Sequence, residues 1–204
     1  TSQDQPTVLV TIFDMNPDGW AAVQDTDIET VAENMLAFFR AFHLLHANNK
    51  VAVIVTHPHT ARLLYTPQMR SNNPNSTTKD SLDMDAIDFD LHKLLVEFSK
   101  EMAGITSETK KTTSLMSSAL AIAACYCNRM TLPESSGPTT PKVQPRVLVI
   151  SPSVDFSGQY VSLMNCFFSF EKNGILVDAL VLADQDSPML QRACDLTSGA
   201  YLRF

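Results

Sequence analysis

The stretch Val8-Leu9-Val10-Thr11-Ile12-Phe13 decides the fold class, because it is a short and nearly continuous apolar run. Such a run is typical of a strand that is covered on both faces, as strands inside parallel sheets are. The polar segment from Asp14 to Gly19 follows it directly, which predicts that the strand ends there. We therefore expect residues 8–13 to form the first and central strand of a parallel sheet.

Strands and helices alternate along the rest of the chain. Apolar residues at helical spacing, preceded by a capping-box pair at Thr26 and Glu29, predict a long helix from about residue 28 to residue 42. The other predicted elements are a hairpin at 51–65, a mobile loop at 66–84, helices at 87–102 and 115–126, a loop at 131–145, a strand at 147–150, a helix at 156–172, a strand at 175–182, a helix at 189–196 and a strand at 200–204. This order predicts one α/β domain over residues 1–204, with a doubly wound, mostly parallel sheet, one antiparallel edge strand and helices on both faces.

Composition limits the class of function. Hydrophobic residues make up 45% and charged residues 18% of the 204 residues, and no apolar run approaches the roughly 20 residues that span a membrane. The net charge is −7 and the Lys and Arg residues are scattered, which argues against direct nucleic-acid binding. The cysteines have no disulfide-framework spacing, which favours buried thiols in a reducing compartment; they are Cys125, Cys127, Cys166 and Cys194.

The loop after the first strand is the sharpest polar feature. Asp14, Asn16 and Asp18 alternate along the chain, as the oxygen ligands of a hard cation would. The spacing also matches the opening of a calcium loop, but a strand precedes it where a helix should, and Asp25 stands at the place of the bidentate Glu. An aspartyl phosphotransfer site would need a second Asp at position 16. The remaining interpretation is that these side chains cap the turn into the next helix.

Other polar residues do not assemble a catalytic site. His57 and His59 are interpreted as exposed residues of the hairpin turn, with metal binding as the weaker alternative. Asp178 lies within an apolar strand and is predicted to be a buried, hydrogen-bonded structural carboxylate. The sequence has no glycine-rich phosphate loop and no nucleophile elbow. We therefore expect no enzyme activity and no catalytic or cofactor-binding residues.

The order of elements resembles the von Willebrand A fold. The features that carry this resemblance are the buried strand ending in Asp14, the long helix and hairpin after it, a Thr-bearing loop at Thr112-Thr113 before a helix, and the strand Val147–Ile150. The resemblance implies a metal site made of Asp-x-Ser-x-Ser after the first strand, a Thr before the third helix and an Asp just after the fourth strand.

This chain departs from that metal-site pattern. Asn16 and Asp18 replace the two serines, and Pro152 stands where the last Asp would be, so one oxygen ligand is lost. A degenerate remnant of the site is therefore expected, with no bound metal. Its members are Asp14, Asn16, Asp18 and Thr113.

Several longer stretches resemble one branch of this fold more closely, and they include polar residues whose identity core packing does not dictate. They are Val8–Pro17, Lys50–Ile54, Arg62–Tyr65, Ala124–Tyr126, Arg129–Met130, Arg146–Ile150, Gln159–Tyr160, Met164–Asn165, Ile175–Ala179 and Gln191–Leu202. Together they resemble, nearly from end to end, the family of smaller von Willebrand A-type core subunits of general transcription factor TFIIH.

The resemblance implies a non-catalytic protein–protein interaction scaffold in the nucleus, within a complex for transcription initiation and nucleotide excision repair. It implies as partners the larger von Willebrand A-type TFIIH subunit, which binds through a RING-type zinc domain, and other TFIIH core subunits. It also implies a zinc-binding carboxy-terminal segment outside residues 1–204, so no cofactor is expected within them. The competing hypothesis is a cation-dependent ligand-binding domain that uses the Asp14 loop.

The predicted helix at 156–172 carries apolar residues around more of its circumference than one sheet contact buries. One stripe contains Phe156, Tyr160, Leu163, Phe167 and Phe170, and a second contains Val161, Met164 and Phe168. Both stripes are core if one lies on the sheet and the other on a neighbouring helix. The alternative is that part of this surface binds a partner, and Tyr160 and Phe170 are the residues predicted to have that role.

Overall fold

The computed structural model describes residues 5–46, 48–66, 84–103, 113–132 and 143–204, without the side chains of residues 84–90 and 103. Most of the two loops predicted at 66–84 and 131–145 lies outside the described residues, as does Gly104. At their borders, the third predicted helix continues to Thr131 and the strand after the second loop begins at Gln144.

The strands of the described residues form one sheet in the order β3-β2-β1-β4-β5-β6. The strands are β1 (Thr7–Asp14), β2 (Lys50–Thr56), β3 (Ala61–Tyr65), β4 (Gln144–Ser151), β5 (Leu176–Val181) and β6 (Tyr201–Arg203). All neighbouring pairs are parallel except the β2–β3 hairpin, which supplies an antiparallel edge. The prediction that the first strand is central is therefore confirmed, and so is the predicted fold class.

Helices cover both faces of the sheet. They are α1 (Pro17–Ala22), α2 (Ile28–Leu45), α3 (Met84–Ala103), α4 (Met116–Thr131), α5 (Tyr160–Lys172), which a single 3-10 turn at Ser157–Gln159 precedes, and α6 (Pro188–Thr197). Within the described ranges, no helix has the length and apolarity to cross a bilayer. Successive side chains of β1 alternate between two cores, because a strand points neighbouring side chains to opposite faces. Val8, Val10 and Ile12 pack with α4, α5 and α6, whereas Leu9 and Phe13 pack with α2 and α3.

The starts of α2 and α4 are capped in different ways. The N-cap of α2 is Asp27, whose Oδ1 accepts a hydrogen bond from Thr30 N at 2.7 Å, so the capping box predicted at Thr26 and Glu29 is wrong by one residue. Helix α4 has no side-chain cap of its own. Its first turn is instead capped from the 3-10 turn before α5, because Gln159 Oε1 accepts from Ser117 N at 3.0 Å and from Ser117 Oγ at 2.8 Å.

Asp178 is a structural carboxylate, as the sequence predicted. It is buried on β5 and accepts from Ala200 N at 2.8 Å, which ties the approach to β6 onto the sheet. Arg146 on β4 donates to both carboxylate oxygens, with Nη2 at 2.9 Å from Oδ1. The side-chain hydrogen bonds to Asp178 raise the pKa of the Arg146 guanidinium.

The chain between α6 and β6 passes very close to β5. Ser198 takes the left-handed conformation with φ of 59°, and Gly199 N then donates to Cys194 O at 2.9 Å, which ends the helix. A Cβ atom built on Gly199 would lie 1.8 Å from Val177 O, which is a backbone atom near the start of β5. Only glycine fits at this position without displacing the sheet.

We predict that Gly199→Ala lowers the free energy of unfolding by roughly 3 kcal/mol, because the new methyl group would force β5 and β6 apart. The matched control is Gly158→Ala, since a Cβ at Gly158 meets nothing within 4 Å. Urea unfolding of the two variants and the wild type measures the difference. Equal stability of the two variants would contradict the close approach.

Candidate functional site

The carboxyl group of Asp14 is fully buried where the central strand ends. Its Oδ2 accepts a hydrogen bond from Ser151 Oγ at 2.7 Å, and its Oδ1 accepts from Asn16 N at 3.1 Å. Ser151 is the last residue of β4, which pairs with β1 so that Phe13 lies opposite Ile150. Two loops are therefore joined through one carboxyl group at the carboxyl edge of the sheet.

Burial dominates the electrostatics of this carboxyl group. Desolvation raises the pKa of Asp14 from 3.8 to about 6, although hydrogen bonds from Ser151, Ser153 and Asn16 act in the opposite direction. The hydroxyl of Ser114 also lowers this pKa, but it makes no hydrogen bond of ordinary geometry within the described structure. The site therefore holds a carboxyl group whose charged form is poorly solvated.

The groups around Asp14 close the site. Asn16 Nδ2 donates to Ser153 Oγ at 3.1 Å, and Ser153 N donates to Ser151 Oγ at 3.0 Å. Trp20 Nε1 on α1 donates to Asp14 O at 2.7 Å and its ring packs on Phe13. Polar side chains that would face a ligand thus bind one another.

Pro152 completes this closure. A Cβ atom built on Gly19 would lie 3.0 Å from both Pro152 Cγ and Ser153 Oγ, so α1 lies directly against the loop after β4. We call this set of interlocked residues the Asp14 cage; its members are Asp14, Asn16, Ser114, Ser151 and Ser153.

The residues predicted as a metal-site remnant have different positions in the structure. Asn16 is buried, and its Oδ1 also accepts from Asp18 N at 3.3 Å, so it caps α1 as one interpretation of the sequence proposed. Asp18 is exposed in the first turn of α1. Thr113 is half-buried, and its neighbour Ser114, rather than Thr113, is among the groups that act on the pKa of Asp14. Asn16 alone of these three joins the cage.

Sequence reasoning missed Ser114, Ser151 and Ser153. A usable signal was present, because the carboxyl ends of neighbouring parallel strands meet at one edge of a sheet. Ser151-Pro152-Ser153 follows a strand predicted to neighbour β1, and the sequence interpretation considered only the proline there.

The chemistry available in the cage is that of hydrogen bonding. The partners of the Asp14 carboxyl are hydroxyl and backbone N–H groups, and no paired base and nucleophile is formed with them. Across the described residues, no three His, Cys, Asp or Glu side chains come together in a way that could hold a metal ion. The geometry is that of a structural lock between loops.

The histidine pair differs from expectation at both positions, since His59 is half-buried rather than exposed. His57 is buried rather than exposed, and its rings with His59 are 5.4 Å apart between centroids. The cause is that the turn lies under the start of α4, where Leu115 N donates to His57 O at 3.3 Å. Burial lowers the pKa of His57, with a smaller effect of the same sign from His59.

The cysteines also divide into two groups. Burial raises the pKa of the Cys127 and Cys194 thiols to about 12, so both are unreactive. Cys125, in contrast, is exposed and Cys166 is half-buried, which corrects the prediction that all four thiols are buried. The side chains of Cys125 and Cys127 point in different directions, because residues that are two positions apart on a helix do not share a face.

Helix α5 settles which predicted stripe is core. Phe170 is 0% exposed, so the expectation that it lies on a partner-binding surface is wrong. It packs into the core with Leu163 and Phe167, which share its face of the helix. Tyr160 is 56% exposed, and its partner-binding role stays a prediction.

The exposed part of the helix is the second stripe. Val161 is 70% and Phe168 is 51% exposed, while Met164 between them is half-buried.

The model of one protein family, described as transcription factor Tfb4, matches residues 6–204. The chain belongs to the Tfb4 family. Among curated Tfb4 relatives, the general transcription factor IIH subunit 3 of Dictyostelium discoideum is 32% identical, over 84% of this chain and 47% of its own length. The general transcription and DNA repair factor IIH subunit TFB4 of Arabidopsis thaliana is also 32% identical, over 97% of this chain and 65% of its own length. The chain thus spans about half to two thirds of these relatives.

Solved structures agree with this family membership. The crystal structure of the TFIIH p34 N-terminal domain matches with a TM-score of 0.81 at 27% identity, and the match covers 100% of this chain and 93% of that one. The SpRpn10 VWA domain matches with a TM-score of 0.58 at 12% identity, over 98% and 88% of the two chains. The second match concerns the fold alone and confirms the predicted von Willebrand A architecture.

We predict that Asp14→Asn removes a pH dependence of stability. The pKa of Asp14 is higher in the folded chain than the ordinary value of 3.8, so the folded state holds a proton that the unfolded state releases between about pH 4 and 6. Wild-type stability is therefore favoured below pH 4 and declines as pH rises towards and through 6. Relative to the variant, the wild type should lose roughly 3 kcal/mol between pH 4 and pH 7.5.

Urea unfolding of both proteins at a series of pH values measures this difference. Other carboxyl groups titrate in both proteins, so their effects cancel in the comparison. Parallel stability curves for the wild type and the variant would show that Asp14 has an ordinary pKa.

Proposed function

We propose that this chain is a non-catalytic scaffold domain of the TFIIH core, acting in the nucleus in transcription initiation and nucleotide excision repair. The observation that carries this proposal is the family match over residues 6–204, supported by relatives named as transcription and DNA repair factor IIH subunits. A scaffold works by binding other proteins and needs no reacting groups. The hydrogen-bonded, closed Asp14 cage is consistent with that role.

The partner in this proposal is the larger von Willebrand A-type TFIIH subunit, bound through its RING-type zinc domain, together with other core subunits. Zinc belongs to that partner domain and to the family's carboxy-terminal segment rather than to residues 1–204. This proposed partner is the one that the sequence resemblance implies. Support for it comes from the relatives of this chain, which are named as TFIIH subunits. It also agrees with the exposed apolar side chains of α5, since binding surfaces often carry such residues.

A second candidate function is cation-dependent ligand binding at the Asp14 loop. The observation in its favour is the buried Ser114 hydroxyl, which lies beside the carboxyl group without a hydrogen bond of ordinary geometry. Against it, Asp18 is exposed in α1 and Pro152 brings no side-chain oxygen to the loop after β4. Calorimetric titration with Mg²⁺ and with Ca²⁺ separates the two functions: the scaffold gives no binding heat, whereas a cation site gives a saturable signal that Asp14→Asn abolishes.

We predict that the purified chain forms a stoichiometric 1:1 complex with the full-length larger subunit at micromolar concentrations, because the proposed role is to hold that subunit. Size-exclusion chromatography with light scattering measures the mass of the complex. The SpRpn10 VWA domain is the matched control, since it has the same fold at 12% identity and should elute separately. Elution of this chain as an unbound species beside the partner would refute the proposed docking.

A further inference from the structure

Two buried hydroxyl groups at the carboxyl edge of the sheet have no hydrogen-bond partner among the described residues. They are Ser114 Oγ and Thr56 Oγ1, and both residues are 0% exposed. A buried hydroxyl that bonds to nothing costs free energy comparable to a lost hydrogen bond, so such groups are rare in folded proteins. Two of them near the Asp14 carboxyl group therefore point to a shared partner.

Strand pairing places Thr56 beside Asp14. The two residues lie opposite each other at the ends of β2 and β1, which run parallel. Ile54 on β2 and Ile12 on β1 both point into the core beneath α4, α5 and α6. Since side chains alternate along a strand, Thr56 and Asp14 point to that same side, on strands about 5 Å apart. The Thr56 hydroxyl and the Asp14 carboxyl group are therefore neighbours.

Ser114 approaches the same place from the segment before α4. Its hydroxyl lowers the pKa of Asp14, so the two side chains are close together. Leu115, the next residue, donates from its N–H to His57 O at 3.3 Å, and His57 directly follows Thr56. The segment before α4 is thus held against the end of β2. Asp14, Thr56 and Ser114 converge from three separate parts of the chain.

The carboxyl group can accept a further hydrogen bond. Hydrogen bonds from Ser151, Ser153 and Asn16 already act on it, and an ionised carboxyl group offers about four acceptor positions. Each orphaned hydroxyl can both donate and accept. A small molecule among these groups that also donates and accepts would satisfy all of them. Water does so with about three hydrogen bonds, which is the usual number for a buried water molecule.

We propose that the Asp14 cage encloses one internal water molecule, bound by the Asp14 carboxyl group and by the hydroxyls of Ser114 and Thr56. The water donates to the carboxyl group and to one hydroxyl, and it accepts from the other hydroxyl. A divalent cation suits this set less well, because Asp14 is the one carboxylate of the cage and Asp18 is exposed on α1. The inference goes beyond the scaffold function and does not depend on it.

Thr11 on the central strand offers a contrast. Its hydroxyl is also buried without a partner in the described structure. Its neighbours on the flanking strands are Val53 and Leu148, which pack into the core beneath α2 and α3. An internal water needs several polar partners, and these neighbours supply none. Thr11 is therefore a buried hydroxyl at which we expect no water.

The test compares two isosteric substitutions, Thr56→Val and Thr11→Val, by urea unfolding. Thr56→Val takes one hydrogen bond from the water and should raise the unfolding equilibrium constant about fivefold or more. Thr11→Val removes only an unsatisfied hydroxyl, so its unfolding constant should equal that of the wild type or fall below it. The two variants differ in the sign of the effect, although each replaces the same hydroxyl by a methyl group.

High-resolution crystal structures identify the occupant. In the wild type, an ordered water should lie about 2.8 Å from Ser114 Oγ and from Thr56 Oγ1. It should be absent from Thr56→Val and present in Thr56→Ser, which keeps the hydroxyl.

The outcomes are distinct. Water density in the wild type, together with a destabilised Thr56→Val and an unimpaired Thr11→Val, supports the inference. Lack of ordered density between the two hydroxyls overturns it, and so does a Thr56→Val variant as stable as the wild type. A peak at about 2.0 to 2.6 Å from an Asp14 oxygen identifies a cation instead, which also overturns the inference and leaves the scaffold function untouched.

Discussion

The buried carboxyl group of Asp14 is the constraint on which the arrangement of this domain depends. A polar group without water must find hydrogen-bond partners inside the protein, and Asp14 finds them in Ser151 after β4 and in Asn16 of its own loop. The same cage includes Ser114, whose carbonyl accepts from Gln159, and Gln159 in turn caps the first turn of α4. The starts of α4 and α5 therefore lie beside the buried carboxyl group at the end of the sheet.

Much of the fold follows from the sequence, because its signals are periodic and local. The run at 8–13 is apolar on both faces, so a strand in the middle of the sheet is the arrangement that buries it. Periodicity fails where two apolar stripes share one helix. Phe170 and Val161 both belong to stripes with helical spacing, and only the packing of α5 on the sheet decides that Phe170 is buried and Val161 exposed. The sequence pattern therefore predicts two apolar stripes on α5, and only tertiary packing determines which of them is buried.

The candidate site could be located from the sequence but its closure could not. Asp14 marks the end of the central strand, and strand ends are where open α/β sheets bind ligands. The groups that close the cage come from a segment 137 residues away, and parallel pairing of β1 with β4 brings them together. Close packing also helps to close the site, because Gly19 has no side chain and Pro152 lies directly against it. Such a contact depends on three-dimensional register, which a spacing rule for ligands does not contain.

This domain combines a closed site at the sheet edge with an open apolar surface on its helices. The two features share a physical cause. When the polar end groups bond to one another, the loops after β1 and β4 no longer need to move for a ligand, and the helix starts that they contact become fixed. A fixed pair of helices can then carry exposed apolar residues in a constant geometry. Burying such residues on binding removes apolar area from water without the cost of desolvating charge. A chain with a net charge of −7 is thus able to make an uncharged contact on one face while its remaining surface stays well hydrated.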